Sequence, residues 1–333
     1  MKKTGVPTGD ETIGWLLEKQ DPSVRYFTLK NLLDRQDGDV ELSIARNEIM
    51  KNGPVAEILK RQDENGWWGK PASFYTSKYR GTTWQLMLLA ELGADGKNSQ
   101  VRKAAEFILQ NSQEPGSGSF SVRGSEKSVG GLKSYVVPCL TGNMIWSLVM
   151  LGYLDDDRVQ KGVEWICRYQ RTDDGIEKAP GGYPYDKFEI CWGRHTCHMG
   201  VVKSLKALAA IPYDKRTSVV KKKISELSEY LLLHRIHKKS HDPGKVSRPG
   251  WLKPGFPLMY QTDILEILEI LVSLGCHDER MDEAVNIIRS KQTSNGRWIL
   301  ENTFNGKTLV DIEKKGAESK WITLKSLYVL SHY

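Results

Sequence analysis

The sequence predicts an all-α protein built from repeated helix hairpins, and three observations support this. Apolar residues recur three and four positions apart in five segments that contain few β-branched runs, which is typical of helices. Four further segments end in a glutamine followed by a polar turn with glycine, at Gln62, Gln113, Gln170 and Gln292. The alternation of apolar and polar residues that indicates strands is not found.

The elements follow in a regular order. Residues 10–50 are predicted to form an N-terminal helix hairpin, with Asp21 as the cap of its second helix and Pro22 in the first turn. Residues 51–333 hold the repeats, and the whole chain, 1–333, is predicted to be one domain. The repeated glutamines lie 51, 57 and 122 residues apart. The last spacing is about double the others, so a degenerate copy is expected between them, with His234 in place of glutamine.

Each outer, charge-rich helix is followed by a more apolar inner helix. The inner helices are predicted to begin near Thr82, Thr141, Thr196, Tyr260 and Lys320. One such pair cannot bury its own apolar face, so stacked pairs must share a core as an open solenoid or a closed ring. Long loops over residues 114–137 and 173–194 precede two inner helices and favour closure.

Composition excludes several classes of function. The net charge of +7 comes from 48 basic and 41 acidic residues spread along the chain, without the basic stripe or motif that nucleic-acid binding requires. No run of 18 apolar residues predicts a membrane span, although weak peripheral contact with anionic lipid is compatible with the charge. Five cysteines, an odd number without an export signal, predict free thiols in the cytoplasm.

The turn sequences resemble the Gln–Trp motif of squalene and oxidosqualene cyclases. Trp165 and Gln170 match one half of the motif, and Gln62 with Trp67 and Gln292 with Trp298 match the other. The resemblance implies the terpenoid cyclase/protein prenyltransferase superfamily and an (α/α) toroid of five to six helix hairpins around a central cavity. Blocks beginning at Pro138, Cys191, Lys253 and Glu301 are similar to microbial cyclase-like and prenyltransferase-like proteins. An enzyme that binds an apolar or isoprenoid ligand is the function this implies.

The acid motif of squalene-type cyclases, Asp-x-Asp-Asp, does not occur in the sequence. Asp155, Asp156 and Asp157 are interpreted as a helix cap with first-turn acids. Asp173 and Asp174 are interpreted as part of a structural turn.

Reactive residues gather at the predicted starts of the inner helices, which a ring would bring to one pocket mouth. We predict catalytic roles for His195, Asp263, Cys197 and Tyr260, because imidazole, carboxyl and thiol groups perform acid–base and nucleophilic work. Ordinary packing is the competing interpretation of these residues. The predicted ligand-binding residues are Arg194, Trp192, Trp84, Trp146, Gln261, Trp321 and Asn143.

A zinc site is a further hypothesis, drawn from Cys191, Cys197, His198 and Asp263, with His195 nearby. The resemblance supports it, since protein prenyltransferases hold zinc through one Asp, one Cys and one His. His195 and His198, if both helical, would share a face. The spacing of His234, His237 and His241 also permits a surface metal.

Two other classes of function stay open. A carbohydrate-active (α/α)-barrel enzyme would require paired carboxylates that face the cavity. A non-catalytic ligand-binding or scaffold protein would have a chemically silent cavity or groove.

Overall fold

The computed structural model describes residues 10–175 and 177–333, and it is mostly helical. The expectation that the N-terminus carries no export signal concerns residues 1–9 in part, and these residues lie outside the described ones. The helices are α1 (Asp10–Leu16), α2 (Pro22–Phe27), α3 (Val40–Ile49), α4 (Gly53–Lys60), α5 (Thr82–Glu91), α6 (Ser99–Asn111), α7 (Pro138–Met150), α8 (Asp157–Tyr169), α9 (Glu189–Trp192), α10 (His198–Ala209), α11 (Ser218–Leu233), α12 (Ile264–Ser273), α13 (Asp282–Ser290) and α14 (Lys320–His332).

Short strands occur beside the helices. They are β1 (Lys238–Lys239), β2 (Asp242–Val246), β3 (Trp298–Ile299) and β4 (Glu318–Ser319). β1 pairs antiparallel with β2, and β3 with β4. The all-α prediction is confirmed, because these two small hairpins only connect helices. No helix in the described part of the chain combines the length and the apolar character needed to cross a membrane.

The inner helices surround a common axis. α5 packs against α7, α7 against α10, α10 against α12, and α12 against α14. α2 and the π-helical turn that continues it, Thr28–Leu32, pack against α14 as a sixth inner element. Gly93, just after α5, lies against the ring of Phe27 at the end of α2. Because α2 also packs against α14, it joins the first inner helix of the repeats to the last and closes the ring. One continuous cluster of buried apolar side chains runs through the arrangement.

Local sequence signals explain where most helices begin and end. Asn98, Asp156, Thr217 and Asp263 each accept a backbone N–H at the start of their helix. The capping interpretation of Asp156 is thereby confirmed. Asp21 differs, because its carboxylate accepts no backbone bond at α2 and instead pairs with Lys320 Nζ at 2.6 Å. The prediction that Asp21 caps the helix is wrong because a cation of α14 binds the carboxylate.

Two of the repeated glutamines, Gln62 and Gln113, tie neighbouring outer helices together. Gln62 Nε2 donates to the carbonyls of Gly66, in its own turn, and Gln100, in α6. Gln113 Nε2 donates in the same way to Gly118 and to Arg158 in α8. Each of these side chains therefore joins one outer helix to the next outer helix and satisfies two carbonyl groups.

The tie at Gln113 should contribute measurably to stability. Gln113 is 4% exposed, so Gln113→Ala would leave the carbonyls of Gly118 and Arg158 buried without their donor. We expect a loss of about 1–3 kcal/mol in the free energy of unfolding, measured by urea denaturation. The exposed Gln36, whose amide bonds only to Asp34, is the matched control. A loss at Gln113 no larger than that of Gln36→Ala would contradict the role.

Candidate functional site

Six charged side chains meet on the axis of the ring, where an apolar core is the usual filling. They form a chain of alternating sign that runs across four inner helices. Lys203 Nζ lies 2.7 Å from both carboxylate oxygens of Glu266, and Lys206 Nζ lies 3.1 Å from the same group. Lys206 also reaches Glu91 at 2.9 Å. Lys325 then joins Glu91, at 2.9 Å, to Glu269, at 2.8 Å.

The axial chain, Lys203–Glu266–Lys206–Glu91–Lys325–Glu269, contains three cations and three anions, so its charges balance. Exposure rises along it, from 1% for the Lys203 side chain to 27% for Glu269. Burial alone would raise the pKa of Glu91, but the ammonium groups of Lys206 and Lys325 hold that pKa well below its usual range. Burial likewise opposes the charge of Lys325, yet Glu269 and Glu91 raise its pKa. Glu91 and Lys325 are therefore ionised near neutral pH, whereas burial lowers the pKa of Lys203 at the other end of the axial chain.

A cavity of about 300 Å³ opens above the axial chain, at the carboxyl ends of the inner helices. Its floor is formed by Glu91, Lys206, Glu269 and Lys325. Its walls are mainly aromatic and aliphatic, with two polar residues, and they consist of Phe27, Trp146, Trp321, Tyr328, Ala90, Met150, Ala209, Ala210, Ile270, Leu324, Asn31 and Ser273. Lys206 Nζ lies 3.9 Å from the centre of the Trp146 ring, so a cation already covers one face of that ring.

The other end of the axis is closed by a segment that we call the plug, residues 253–263. Phe256 stacks on Trp321 with ring centres 4.3 Å apart, and Asp263 accepts the N–H of Gly255 at 2.8 Å. Only about 20 Å³ of space remains between the plug and the axial chain. The expectation that the helix starts form an open pocket mouth is wrong, because the plug covers them and the larger cavity lies at the helix ends.

The predicted ligand-binding residues divide between these two ends. Trp146 and Trp321 line the cavity. Asn143 lines the small space beneath the plug, and Gln261 lies in the plug itself. Trp84 is buried and donates its Nε1–H to the carbonyl of Tyr75 at 2.9 Å.

Two of the predicted catalytic residues also belong to the plugged end. Tyr260 stacks parallel to Tyr79, with Lys78 Nζ 4.9 Å from its ring centre. Asp263 caps α12 by accepting the N–H of Glu266 at 2.9 Å, and it is 2% exposed. Burial raises the pKa of Asp263 to about 7, although the two backbone N–H groups favour its charged form.

The remaining predicted residues lie around the start of α10. Trp192 is buried against Trp165, and Arg194 Nε donates to the carbonyl of Gly175 at 2.8 Å. The Cys191 thiol donates to the Cys197 sulfur, and this hydrogen bond lowers the pKa of Cys197. All five cysteines are free thiols.

The histidines in this region have separate surroundings. His198 stacks on Trp251 at 4.3 Å, and burial lowers its pKa to about 3. His195 lies before α10, so the expectation that it shares a helix face with His198 is wrong. Among residues 10–175 and 177–333, the potential metal ligands that come together are Asp174, His195 and His241. The predicted zinc set of Cys191, Cys197, His198 and Asp263 is not brought together in the described residues.

Sequence reasoning missed the axial chain completely. The available signal was charge inside the most apolar helices, at Lys203 and Lys206 in α10 and at Glu266 and Glu269 in α12. In both pairs the charges are three residues apart, which places them on one helix face.

Comparison with known proteins finds a family model that is similar to part of the chain. Residues 41–188 match the squalene-hopene cyclase C-terminal domain. No curated protein matches the sequence.

Among solved structures, the type II terpene cyclase MstE from Scytonema is 14% identical, with 98% of this chain and 90% of that chain covered and a TM-score of 0.43. A variant of MstE in complex with geranylgeranyl dihydroxybenzoate is 13% identical, with 94% and 87% covered and a TM-score of 0.41. A protein from Actinoplanes is 13% identical, with 94% and 89% covered and a TM-score of 0.42. Within residues 41–188, the family match supports the superfamily resemblance carried by the Gln–Trp motifs.

Proposed function

We propose that this protein binds an isoprenoid, or a similarly apolar small molecule, in the cavity above the axial chain. The observation that carries the proposal is the cavity itself, about 300 Å³ in volume and lined mainly by aromatic and aliphatic side chains. Its volume is at the lower end of the range typical of small-molecule sites. Removing a long hydrocarbon from water into such walls is favourable at roughly 25 cal/mol per Å² of apolar surface.

The charges on the cavity floor do not oppose an apolar ligand. Glu91, Glu269, Lys206 and Lys325 bind one another, so a hydrocarbon above them removes little water from an unpaired ion. The same pairing argues against the carbohydrate-active alternative. That chemistry needs one carboxyl with a raised pKa as its acid, whereas the lysines lower the pKa of Glu91.

The second candidate function is a binding protein that leaves its ligand chemically unchanged. The lowered pKa of Glu91 on the cavity floor favours it, because this carboxylate carries no proton near neutral pH. Protonation of an alkene needs a carboxyl group that carries its proton near neutral pH. Of the carboxyl groups on the axis, Asp263 has a pKa of about 7, but it is the last residue of the plug and faces the small space on the other side of the axial chain. In the enzymatic alternative, Asp263 would donate the proton after residues 253–259 of the plug had moved away from it.

A binding experiment tests the proposal. We expect geranylgeraniol to form a 1:1 adduct in native mass spectrometry and to change the fluorescence of Trp146 and Trp321, which line the cavity. Ala209→Phe fills the cavity from α10 and should weaken binding about tenfold or more. Ala56→Phe, in the outer helix α4, is the matched control and should bind normally.

The outcomes separate the alternatives. No adduct, or equal affinity in Ala209→Phe and in the control, would overturn the cavity as the binding site. Recovery of a cyclised isomer from the incubated ligand would favour the enzyme, and recovery of unchanged geranylgeraniol would favour the binding protein.

A further inference from the structure

A second cluster of reactive side chains lies away from the axial cavity, around the carboxylate of Asp174. His195 Nδ1 is 3.7 Å from Asp174 Oδ1, and His241 Nε2 is 3.7 Å from Oδ2. His234 Nε2 is 3.5 Å from Oδ1. The four residues come from four places in the sequence, namely the α8–α9 loop, the α9–α10 loop, the end of α11 and the β1–β2 hairpin.

The orientation of His234 indicates that a positive charge belongs between these groups. Its Nδ1 lies 2.9 Å from the carbonyl oxygen of Tyr230. A carbonyl can only accept, so Nδ1 carries the hydrogen and the Nε2 of a neutral ring presents a lone pair. That lone pair faces a carboxylate oxygen, which is also an acceptor. His234 is 6% exposed, so water cannot readily separate the two groups. A bound proton or a metal ion would resolve the contact.

The backbone holds Asp174 and His195 side by side. The two residues form an isolated antiparallel bridge, with Gly175 N–H donating to the carbonyl of Arg194 at 3.1 Å and Thr196 N–H to that of Asp173 at 2.9 Å. Gly175 has a φ of +91°, and a Cβ there would lie 2.3 Å from Cε1 of His195. The imidazole therefore occupies space that any other residue at position 175 would fill.

Hydrogen bonds from neighbouring groups support the same arrangement. The Ser240 hydroxyl donates to Asp174 Oδ2. The Nδ1–H of His234 is fixed by a backbone carbonyl, as is common for histidines at metal sites. His237 is not part of the cluster, because it is buried beside Glu283, 3.5 Å away.

We propose that Asp174, His195 and His241 bind a divalent transition-metal ion of the zinc class, with His234 on the buried side as a positioning residue or a fourth ligand. Their ligand atoms lie within 4.8 Å of one another. The nitrogen–oxygen distances of 3.5 to 3.7 Å are close to the edge of a zinc tetrahedron, roughly 3.3 Å. Imidazole ligands favour zinc and its neighbours over magnesium or calcium.

The site is accessible from solvent. The His195 and His241 side chains are each 63% exposed. An ion held by three protein ligands would keep an open position for water or for an anionic ligand. This site differs from the zinc set expected from the sequence, and it does not depend on isoprenoid binding in the axial cavity.

Metal titration tests the proposal. After treatment with EDTA and its removal, we expect the purified protein to bind one Zn²⁺ in isothermal titration calorimetry. We expect Co²⁺ to give visible absorption without the intense near-ultraviolet band of cobalt–thiolate bonds. Asp174→Asn and His195→Ala should each weaken Zn²⁺ binding about tenfold or more. His332→Ala removes an exposed histidine near the C-terminal end of α14 and is the control.

The variants also define what would overturn the site. Failure of the unmodified protein to bind Zn²⁺, or unchanged affinity in both Asp174→Asn and His195→Ala, would contradict it. If the double variant Cys191→Ser/Cys197→Ser lost Zn²⁺ binding and Asp174→Asn retained it, the metal site would have to be assigned to the two thiols. Because His195 is exposed, His195→Ala should keep the circular dichroism spectrum of the unmodified protein, so a weaker affinity would not reflect unfolding.

Discussion

Replacing Glu91 by glutamine should destabilise the ring by about 3 kcal/mol, the lower end of the cost of breaking a buried ion pair. Glu91 is the central anion of the axial chain and faces both Lys206 and Lys325. In Glu91→Gln, the ammonium groups of Lys206 and Lys325 would remain on the axis without the carboxylate that they share. We place the effect at the lower end because the Glu91 side chain is 17% exposed, toward the cavity. Urea denaturation at pH 7 measures it.

The effect of Glu91→Gln should depend on pH in a defined direction. The pKa of Glu91 is lowered in the folded protein, because Lys206 and Lys325 outweigh the burial that would raise it. Its stabilising contribution is therefore present above the unfolded pKa, about 4.3, and is lost as the pH falls toward the folded value. The difference between the two proteins should narrow below about pH 4.

Glu57→Gln, on the exposed side of α4, serves as the control and should change stability by less than about 0.5 kcal/mol. If Glu91→Gln were as stable as this control at pH 7, the axial chain would not contribute to the stability of the ring.

Gly142→Ala should be the second strongly destabilising substitution, at about 1–3 kcal/mol. A Cβ at position 142 of α7 would lie 2.5 Å from the carbonyl carbon and 2.7 Å from the nitrogen of the Lys203–Ser204 peptide. Those atoms belong to the main chain of α10, so the clash can be relieved only if one of the two helices moves. We expect α7 and α10 to separate and Lys203 to shift relative to Glu266. Thermal and urea unfolding measure the loss.

Gly14→Ala provides the matched control for this substitution. Gly14 lies in α1, and a Cβ there would meet nothing within 4 Å. The same chemical change should therefore stabilise by about 0.5–1 kcal/mol, because alanine favours helix more than glycine does. If the free energy of unfolding falls in Gly142→Ala and rises in Gly14→Ala, close helix contact and not helix propensity is the cause at Gly142. Equal effects would contradict that explanation.

The helices could be predicted from sequence because their signals are local. Gly93, Gly152 and Gly275 follow inner helices with φ of +77°, +87° and +74°, the left-handed ends that the sequence indicates. The periodic segments gave the five inner helices, although α12 begins at Ile264, four residues after the predicted start. Capping by Asp263, which is itself a local interaction, explains that difference.

The site could not be predicted to the same extent, because its contacts join distant parts of the chain. Lys325 meets Glu91 across 234 residues, and no spacing in the sequence indicates that pairing. The plug closes the helix starts through the contact of Phe256 with Trp321, which lies 65 residues further along the chain. Trp146 and Trp321 line the cavity, but which end of the ring is open depends on these distant contacts.

The closure of the ring has a consequence for how the chain folds during synthesis. Thr12 donates to the carbonyl of Asn295, 283 residues away, and Glu18 binds Lys320, 302 residues away. The N-terminal hairpin of α1 and α2 therefore leaves the ribosome long before α14, which packs against it. Until α14 has been made, the apolar side chains of the hairpin lack their native partners. A domain that folds progressively as it emerges can complete its early parts first, whereas the native contacts of this N-terminal hairpin can form only after α14 has been made.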